Sequence, residues 1–173
     1  MPRQLLSVSS ALFFSLTMVA RAQTQAPPST PEDRARVVEV ARSLEADPLG
    51  TEAPEQRRWV LRFLTNVPDI SVKVCPGLLG PLLGSKKNYS AEIVTQTLTS
   101  AAAFMIANPD KAKDDVAVYT AAVEGSLRVY ESILKVKPKA KWPFLDDLIE
   151  KRGKGELGEY IRQEAAAHCK SSK

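Results

Sequence analysis

Apolar side chains recur every three or four positions along most of this sequence from residue 30 onward, a spacing typical of amphipathic helices. The first predicted helix begins at Thr30, because a hydroxyl residue followed by Pro31 and two acids is an N-terminal signature. We expect this helix to end before Asp47 and Pro48, since the residue ahead of a proline avoids helical geometry. Its predicted buried stripe consists of Val37, Val38, Ala41 and Leu44.

A second helix is predicted from about Pro54 to Asn66, where apolar residues again recur at intervals of one and four. Trp59 and Phe63 are its expected core anchors. A large aromatic side chain that faces the core contributes much apolar area to a small fold.

Residues 69–84 fit more than one secondary structure. Ile70, Val72 and Val74 alternate as in a strand, whereas Ile70, Val74 and Leu78 have helical spacing. No second strand is predicted nearby to pair with an isolated one, so we favour a helix that is interrupted near the Cys-Pro-Gly sequence. The glycines and prolines of this segment leave helix, strand and loop as alternatives.

A central helical hairpin is predicted next along the chain. Asn88 or Ser90 is the expected cap of its first helix, which ends at Asn108 and Pro109. The Asn-Pro-Asp sequence there both ends that helix and caps the second one, so we expect a tight connection. The second helix reaches about Val136 and is the longest of the chain.

Two shorter helices are predicted over residues 142–152 and 156–169. The expected fold class is therefore all-α, a compact bundle of about six helices that includes the hairpin. Residues 30–173 are expected to form a single helical domain, a length that can bury an adequate core.

Residues 1–22 have the three parts of a secretory signal peptide. Arg3 supplies the positive start, residues 5–20 are largely apolar, and Ala20 and Ala22 frame a small-x-small cleavage site. Hydroxyl residues interrupt the apolar run, which is too polar for a membrane span of about 20 residues. We expect cleavage after Ala22, an extracytoplasmic location (periplasmic or secreted), no transmembrane anchor afterwards, and a short disordered leader over residues 23–29.

The charge balance changes when the signal is removed. The whole chain contains 24 lysines and arginines against 20 aspartates and glutamates, and the signal carries two arginines but no acid. Cleavage therefore lowers the formal net charge from +4 to +2. Because acids and bases interleave along most of the chain, we expect no nucleic-acid partner.

Two cysteines are present, Cys75 and Cys169, and an exported protein with an even number usually pairs them. We therefore predict a disulfide that ties the C-terminal helix to the segment after the second helix. His168 is the only histidine, and with both cysteines oxidised too few ligands remain for a zinc-type site. We expect no metal, no cofactor and no catalytic residue set, which makes binding a better hypothesis than catalysis.

Two groups of side chains are candidate functional residues. Lys135, Lys137, Lys139 and Lys141 place four positive charges around one proline and form a candidate basic interaction loop. Glu124 is a candidate pocket acid, because it adjoins the apolar stripe of the longest helix.

Residues 127–134, followed by Pro138, resemble the second helix of a tetratricopeptide-type repeat, a family that pairs helices to build a peptide-binding groove. The resemblance covers one helix, and no second copy occurs at the period of about 34 residues that such repeats show. The hairpin around Asn108 and Pro109 is similar to small exported immunity proteins of the Tai type, which are helical, disulfide-bonded and bind a toxin. Neither resemblance assigns a role to an individual residue.

Together these features predict an exported, non-enzymatic binding or interaction protein of the extracytoplasmic space, whose partner is a protein or a component of the cell envelope. The alternative hypothesis is a small-molecule-binding protein, or a carboxylate-using enzyme, with a pocket between its helices.

Overall fold

The structure of the chain is a computed structural model that describes residues 26–169. The predicted signal peptide, residues 23–25 of the predicted leader and residues 170–173 lie outside this range. Ser29, the last residue of the predicted leader, is fixed by Asp69, whose carboxylate accepts hydrogen bonds from the Ser29 amide at 2.8 Å and hydroxyl at 2.7 Å. These bonds, together with one from Arg34, lower the pKa of Asp69 to about 2.

All regular structure in residues 26–169 is helical, and no β-strand occurs there. In chain order the α-helices are α1 (Pro31–Ala46), α2 (Ala53–Asn66), α3 (Pro76–Leu79), α4 (Ser90–Ala107), α5 (Asp115–Val136), α6 (Pro143–Gly153) and α7 (Leu157–His168). A 3₁₀ turn, Gly80–Leu82, follows α3. The all-α prediction is confirmed, and the helix beyond the six expected is the short α3.

α1 begins where the sequence predicts, because Thr30 and Asp33 cap it reciprocally. The Thr30 hydroxyl accepts a hydrogen bond from the Asp33 amide at 3.1 Å, and the Asp33 carboxylate accepts one from the Thr30 amide at 3.3 Å. The stripe that α1 buries differs from the prediction at one position, since Val40 is buried and Val38 is half-exposed. The buried residues are Val37, Val40, Ala41 and Leu44.

Trp59 and Phe63 flank the core rather than anchor it, which corrects the prediction for α2. Val60 is fully buried, whereas both aromatic rings remain partly exposed. The rings stack with centroids 5.4 Å apart, and the Arg36 guanidinium lies 4.1 Å from the centroid of the Trp59 ring. The cation–π contact between Arg36 and Trp59 stabilises the aromatic pair at the surface.

Residues 67–75 are neither helix nor strand, so the helix favoured for this segment forms only after Cys75. The proline that follows Cys75 disfavours helical geometry at the cysteine. Ile70 is buried in the hydrophobic cluster of α1 and α2, and Lys73 forms an ion pair with Asp115 at 2.8 Å. Contacts with other elements therefore hold this segment, and they outweigh its helical spacing.

α4 and α5 pack along each other as the predicted hairpin, and this is the most extensive helix pair in the described range. Gly125 lies so close to α4 that a Cβ at this position would overlap the side chain of Ser100. The hydroxyls of Thr97 and Ser126 form a hydrogen bond of 2.7 Å across the same interface. Small and polar side chains thus allow the two backbones to approach closely.

The predicted caps of α4 are wrong. The Asn88 amide donates a hydrogen bond to the carbonyl of Lys141 at 2.9 Å, and the Ser90 hydroxyl donates one to the carbonyl of Ser85 at 2.7 Å. Both side chains are therefore engaged elsewhere, and the residue that precedes the helix, Tyr89, has left-handed backbone geometry and no side-chain cap.

The start of α5 is also later than predicted. Asp114, not the Asn-Pro-Asp sequence, caps this helix, and its carboxylate accepts a hydrogen bond from the Ala117 amide at 3.1 Å. Residues 108–114 form the connection of the hairpin, which is longer than the tight turn expected. The end of α5 at Val136 is confirmed.

The last two helices begin and end within one residue of their predicted bounds. The predicted disulfide joins Cys75 to Cys169, with their Cα atoms 5.0 Å apart across 94 positions of sequence. It ties the end of α7 to the start of α3 and so closes the bundle around α5.

The main hydrophobic cluster lies around α5 and receives side chains from α3, α4, α6 and α7. A second cluster joins α1 and α2 to α4. No helix within residues 26–169 combines the length and the apolar character that a membrane span requires.

Substitution of Gly125 by alanine tests the close approach of α4 and α5. Gly125→Ala should lower the free energy of unfolding by about 1–3 kcal/mol, because the new methyl group has to displace Ser100. Gly153→Ala is the matched control, since no atom lies within 4 Å of a Cβ at that position. Urea denaturation measures both variants, and equal stabilities would contradict the packing described for the hairpin.

Candidate anion-binding surface

Two loops meet at the open end of the α4–α5 hairpin. One, residues 83–89, precedes α4, and the other, residues 137–142, joins α5 to α6. The side-chain amide of Asn88 donates a hydrogen bond to the Lys141 carbonyl at 2.9 Å, and Trp142 Nε1 donates one to the Asn88 carbonyl at 2.9 Å. These two bonds join segments that are 53 positions apart in sequence.

The second loop is a turn whose backbone is held at both sides. The Ala140 amide donates a hydrogen bond to the Lys137 carbonyl at 2.9 Å, which places Pro138 at the position where β-turns favour proline. Ala140 is buried in the main cluster. The turn therefore presents its two lysines, Lys137 and Lys139, from a fixed backbone.

Tyr130 of α5 holds the end of the second loop by hydrogen bonds. Its ring is fully buried, and its hydroxyl accepts a hydrogen bond from the Trp142 amide at 2.8 Å and donates one to Asp146 Oδ1 at 2.7 Å. Burial raises the pKa of Tyr130 to about 12, so the hydroxyl keeps the proton that it donates. The start of α6 and the end of the loop are thus fastened to α5.

Six lysines are exposed on these two loops and at the end of α5. They are the four predicted residues, Lys135, Lys137, Lys139 and Lys141, together with Lys86 and Lys87 of the first loop. We call this surface, residues 86–89 and 135–142, the basic end. Within the part of the chain that the structure describes, the lysines that form ion pairs are Lys73, Lys151 and Lys154, which all lie outside the basic end.

None of the acids nearest in sequence to the basic end, which are Glu92, Glu131, Asp146 and Asp147, forms an ion pair with its lysines in the described range. Asp146 accepts the hydrogen bond from Tyr130, and Asp147 forms an ion pair with Lys151 at 3.1 Å. Glu131 is paired with Arg152. The positive charge of the basic end is therefore not balanced by direct pairing.

The sequence predicts the four lysines at and after the end of α5 but not the contribution of Lys86 and Lys87. The sequence does show that these two lysines are adjacent and lie just before Asn88. What the sequence does not reveal is the contact of Asn88 with the second loop, which adds this pair to the other four.

The structure places Glu124 in a surface network of ion pairs. Its side chain is 28% exposed, and Oε2 lies 3.6 Å from Arg152 Nη1 and 3.8 Å from Arg128 Nη1. Arg128 in turn donates hydrogen bonds of 2.7 and 2.9 Å to Glu45, which raise its pKa. Glu124 therefore links α5 to α6 by charge, and it does not line the crevices beside Cys75, Glu45 and Ser100.

The single histidine of the sequence and both of its cysteines lie outside the basic end. His168 is exposed, with Nε2 3.8 Å from Glu164 Oε2, and both cysteines are in the disulfide. In this range no three histidine, cysteine, aspartate or glutamate side chains are grouped so as to hold a metal ion. The enclosed crevice beside Cys75 has an almost entirely apolar lining and contains no acid.

Loss of the Tyr130 hydroxyl tests how the second loop is held. Tyr130→Phe should lower the free energy of unfolding by about 1–2 kcal/mol, because the Trp142 amide and Asp146 each lose a partner. It should also shift the indole N–H resonance of Trp142. Tyr119→Phe is the matched control, since Tyr119 is equally buried but its hydroxyl makes no hydrogen bond in the described range; equal effects of the two variants would contradict this role.

No family model, curated protein or solved structure matches this chain. What the chain binds must therefore be inferred from its own side chains and their geometry.

Proposed function

We propose that this protein is a non-enzymatic binding protein that works outside the cytoplasm and binds an anionic partner through the basic end. The observation that carries the proposal is the meeting of two loops that together expose six lysines without ion pairs. Such a cluster is stabilised when a ligand supplies the negative charge that the fold leaves out.

Attraction between these lysines and an anion acts over a short range, because salt screens interactions beyond about 8 Å at physiological ionic strength. Hydrogen bonds through Asn88 join the two loops, so lysines of both can act on one extended ligand. The side chains have long flexible stems, but the backbone beneath Lys137 and Lys139 is fixed by its turn. Binding then orders side chains only, which keeps its entropic cost low.

The charge of the whole fold supports a directed interaction. Lysines and arginines equal aspartates and glutamates in number over residues 26–169. A surplus of positive charge at the basic end is therefore matched by a surplus of negative charge elsewhere on the molecule. An anionic partner would be attracted to one end and repelled from the rest.

Two helix N-termini lie at the basic end, and each has an acid in its first turn, Glu92 in α4 and Asp146 in α6. α4 begins at Ser90, directly after the first loop, and α6 begins at Pro143, directly after the second. The N-terminus of a helix carries a partial positive charge, which favours anions within about one turn. The C-terminus of α5 lies at the same end, and Lys135 in its last turn compensates the opposite partial charge.

The extracytoplasmic location rests on the predicted signal peptide and on the disulfide. Disulfides persist in oxidising compartments and are rare in the cytosol. The bond between Cys75 and Cys169 closes a long loop, so the fold would gain stability where it stays oxidised. Glu124, the candidate pocket acid, lies between Arg128 and Arg152.

Neutralisation of two lysines of the basic end tests the proposed binding. Binding of the processed protein to fluorescent inorganic polyphosphate should weaken about thirtyfold in Lys137→Gln/Lys139→Gln, because each lysine contributes about 1 kcal/mol near an anion in water. The affinity should also depend less steeply on salt concentration in this variant. Fluorescence anisotropy across a salt series measures both quantities.

The matched control changes two lysines at the opposite end of the hairpin. Lys111 and Lys113 have the same spacing, are exposed, and lie in the connection between α4 and α5. Lys111→Gln/Lys113→Gln removes the same charge and should leave the affinity for polyphosphate almost unchanged. Equal losses in the two variants would show that only total charge matters, and would contradict a binding surface at the basic end.

Export is tested separately by the state of the recovered protein. The chain isolated from the extracytoplasmic fraction should begin at Gln23 and contain no free thiol after denaturation without reductant. Mass spectrometry and thiol titration measure these properties. Recovery of an intact N-terminus with two free thiols would contradict both the proposed location and the disulfide.

A further inference from the structure

The basic end also carries apolar side chains that a purely ionic partner would not use. Val136, the last residue of α5, is 63% exposed and lies between Lys135 and Lys137. Leu83, three positions before Lys86 and outside the basic end, is 42% exposed. Among the few exposed large apolar residues of the described range, Val136 is the most exposed, and it lies directly between two lysines.

The residues around Val136 form a shallow depression between the two loops. It is lined by Asn88 and Tyr89 of the first loop and by residues 136–140 of the second. Tyr89 is partly buried there, and the neighbouring Trp142 is also partly buried, with its indole nitrogen fixed by a hydrogen bond to the Asn88 carbonyl. Aromatic side chains with one polar and one apolar edge are favoured at the boundary between lipid and water.

On the basis of the function proposed above, we infer that the anionic partner is the surface of a phospholipid membrane. In this complex the lysines contact the phosphate groups of the lipids, and Val136 lies in the interface between the headgroups and the apolar interior. Lysines around an exposed apolar side chain match the layered chemistry of such a surface, where anionic headgroups cover an apolar interior. A soluble polyanion offers the charge without the apolar layer.

Hydrogen bonds bring the lysines of both loops and Val136 to the same end of the molecule. The two loops are joined directly through Asn88, Lys141 and Trp142, and both lie at the same end of the α4–α5 hairpin. The long axis of α5 would then point towards the membrane, and Val136 would be the residue of this helix nearest to the membrane. One small apolar side chain adds modestly to the ionic attraction, so binding should be reversible and should weaken as salt is raised.

Vesicle binding with matched valine variants tests this inference. Sedimentation of the processed protein should occur with vesicles of equimolar phosphatidylglycerol and phosphatidylcholine, and not with phosphatidylcholine alone. Val136→Ser should weaken vesicle binding about fivefold, because the inserted apolar area is lost. Val136→Ser should bind polyphosphate as tightly as the unsubstituted chain does.

Val74→Ser is the control for the loss of an exposed valine. Val74 is 51% exposed and adjoins Lys73. Because Lys73 forms an ion pair with Asp115, Val74 lies near the N-terminal end of α5, whereas Val136 is at its C-terminal end. This variant should bind vesicles and polyphosphate normally. Circular dichroism and urea denaturation of both serine variants verify that each remains folded.

The outcomes separate the two proposals. Binding to polyphosphate through Lys137 and Lys139 but not to the anionic vesicles would overturn the membrane inference and leave the proposed function standing. Equal vesicle binding by Val136→Ser and the unsubstituted chain would overturn the role of the apolar side chain. Failure to bind either polyphosphate or vesicles would overturn both proposals.

Discussion

The close contact between α4 and α5 is the constraint on which the rest of the structure depends. A side chain at Gly125 would overlap Ser100, so the two backbones approach only because glycine occupies that position. α1 joins this pair through the bidentate contact of Glu45 with Arg128, and Gln96 of α4 donates a hydrogen bond to the Ala41 carbonyl at 3.1 Å. Polar contacts between these three helices thus fix their relative positions where the apolar clusters alone would allow sliding.

The hairpin also determines where the functional candidate lies. α5 runs from the ion pair with Lys73 at one end to the exposed lysines at the other, and Tyr130 near its C-terminus holds the start of α6. The disulfide acts from the opposite side by fixing α7 to α3. The basic end therefore combines a packed interior, which keeps the loops in place, with a rim of lysines that the interior does not neutralise.

Local sequence signals predict most of this fold. Prolines, acidic first turns and helical spacing give the bounds of α1, α6 and α7 within one residue, because each of these signals acts within a single turn. The failures depend on contacts between distant residues. The segment 67–75 is held by the burial of Ile70, and the Asn88 side chain leaves the cap of α4 for the Lys141 carbonyl. That contact also explains why Lys86 and Lys87 could not be assigned to the candidate surface from the sequence.

A charge cluster on a fixed turn differs physically from one on a flexible tail. A tail loses backbone entropy at each residue that it orders on binding, about 1–2 kcal/mol per residue, whereas the turn at Pro138 has already lost it during folding. Folding itself must then tolerate the repulsion between the lysines. The buried Ala140, the hydroxyl of Tyr130 and the bonds of Asn88 supply the contacts that offset it. The basic end is stable as a positive surface because Ala140 and Tyr130 hold it to the core while its lysines are exposed to solvent.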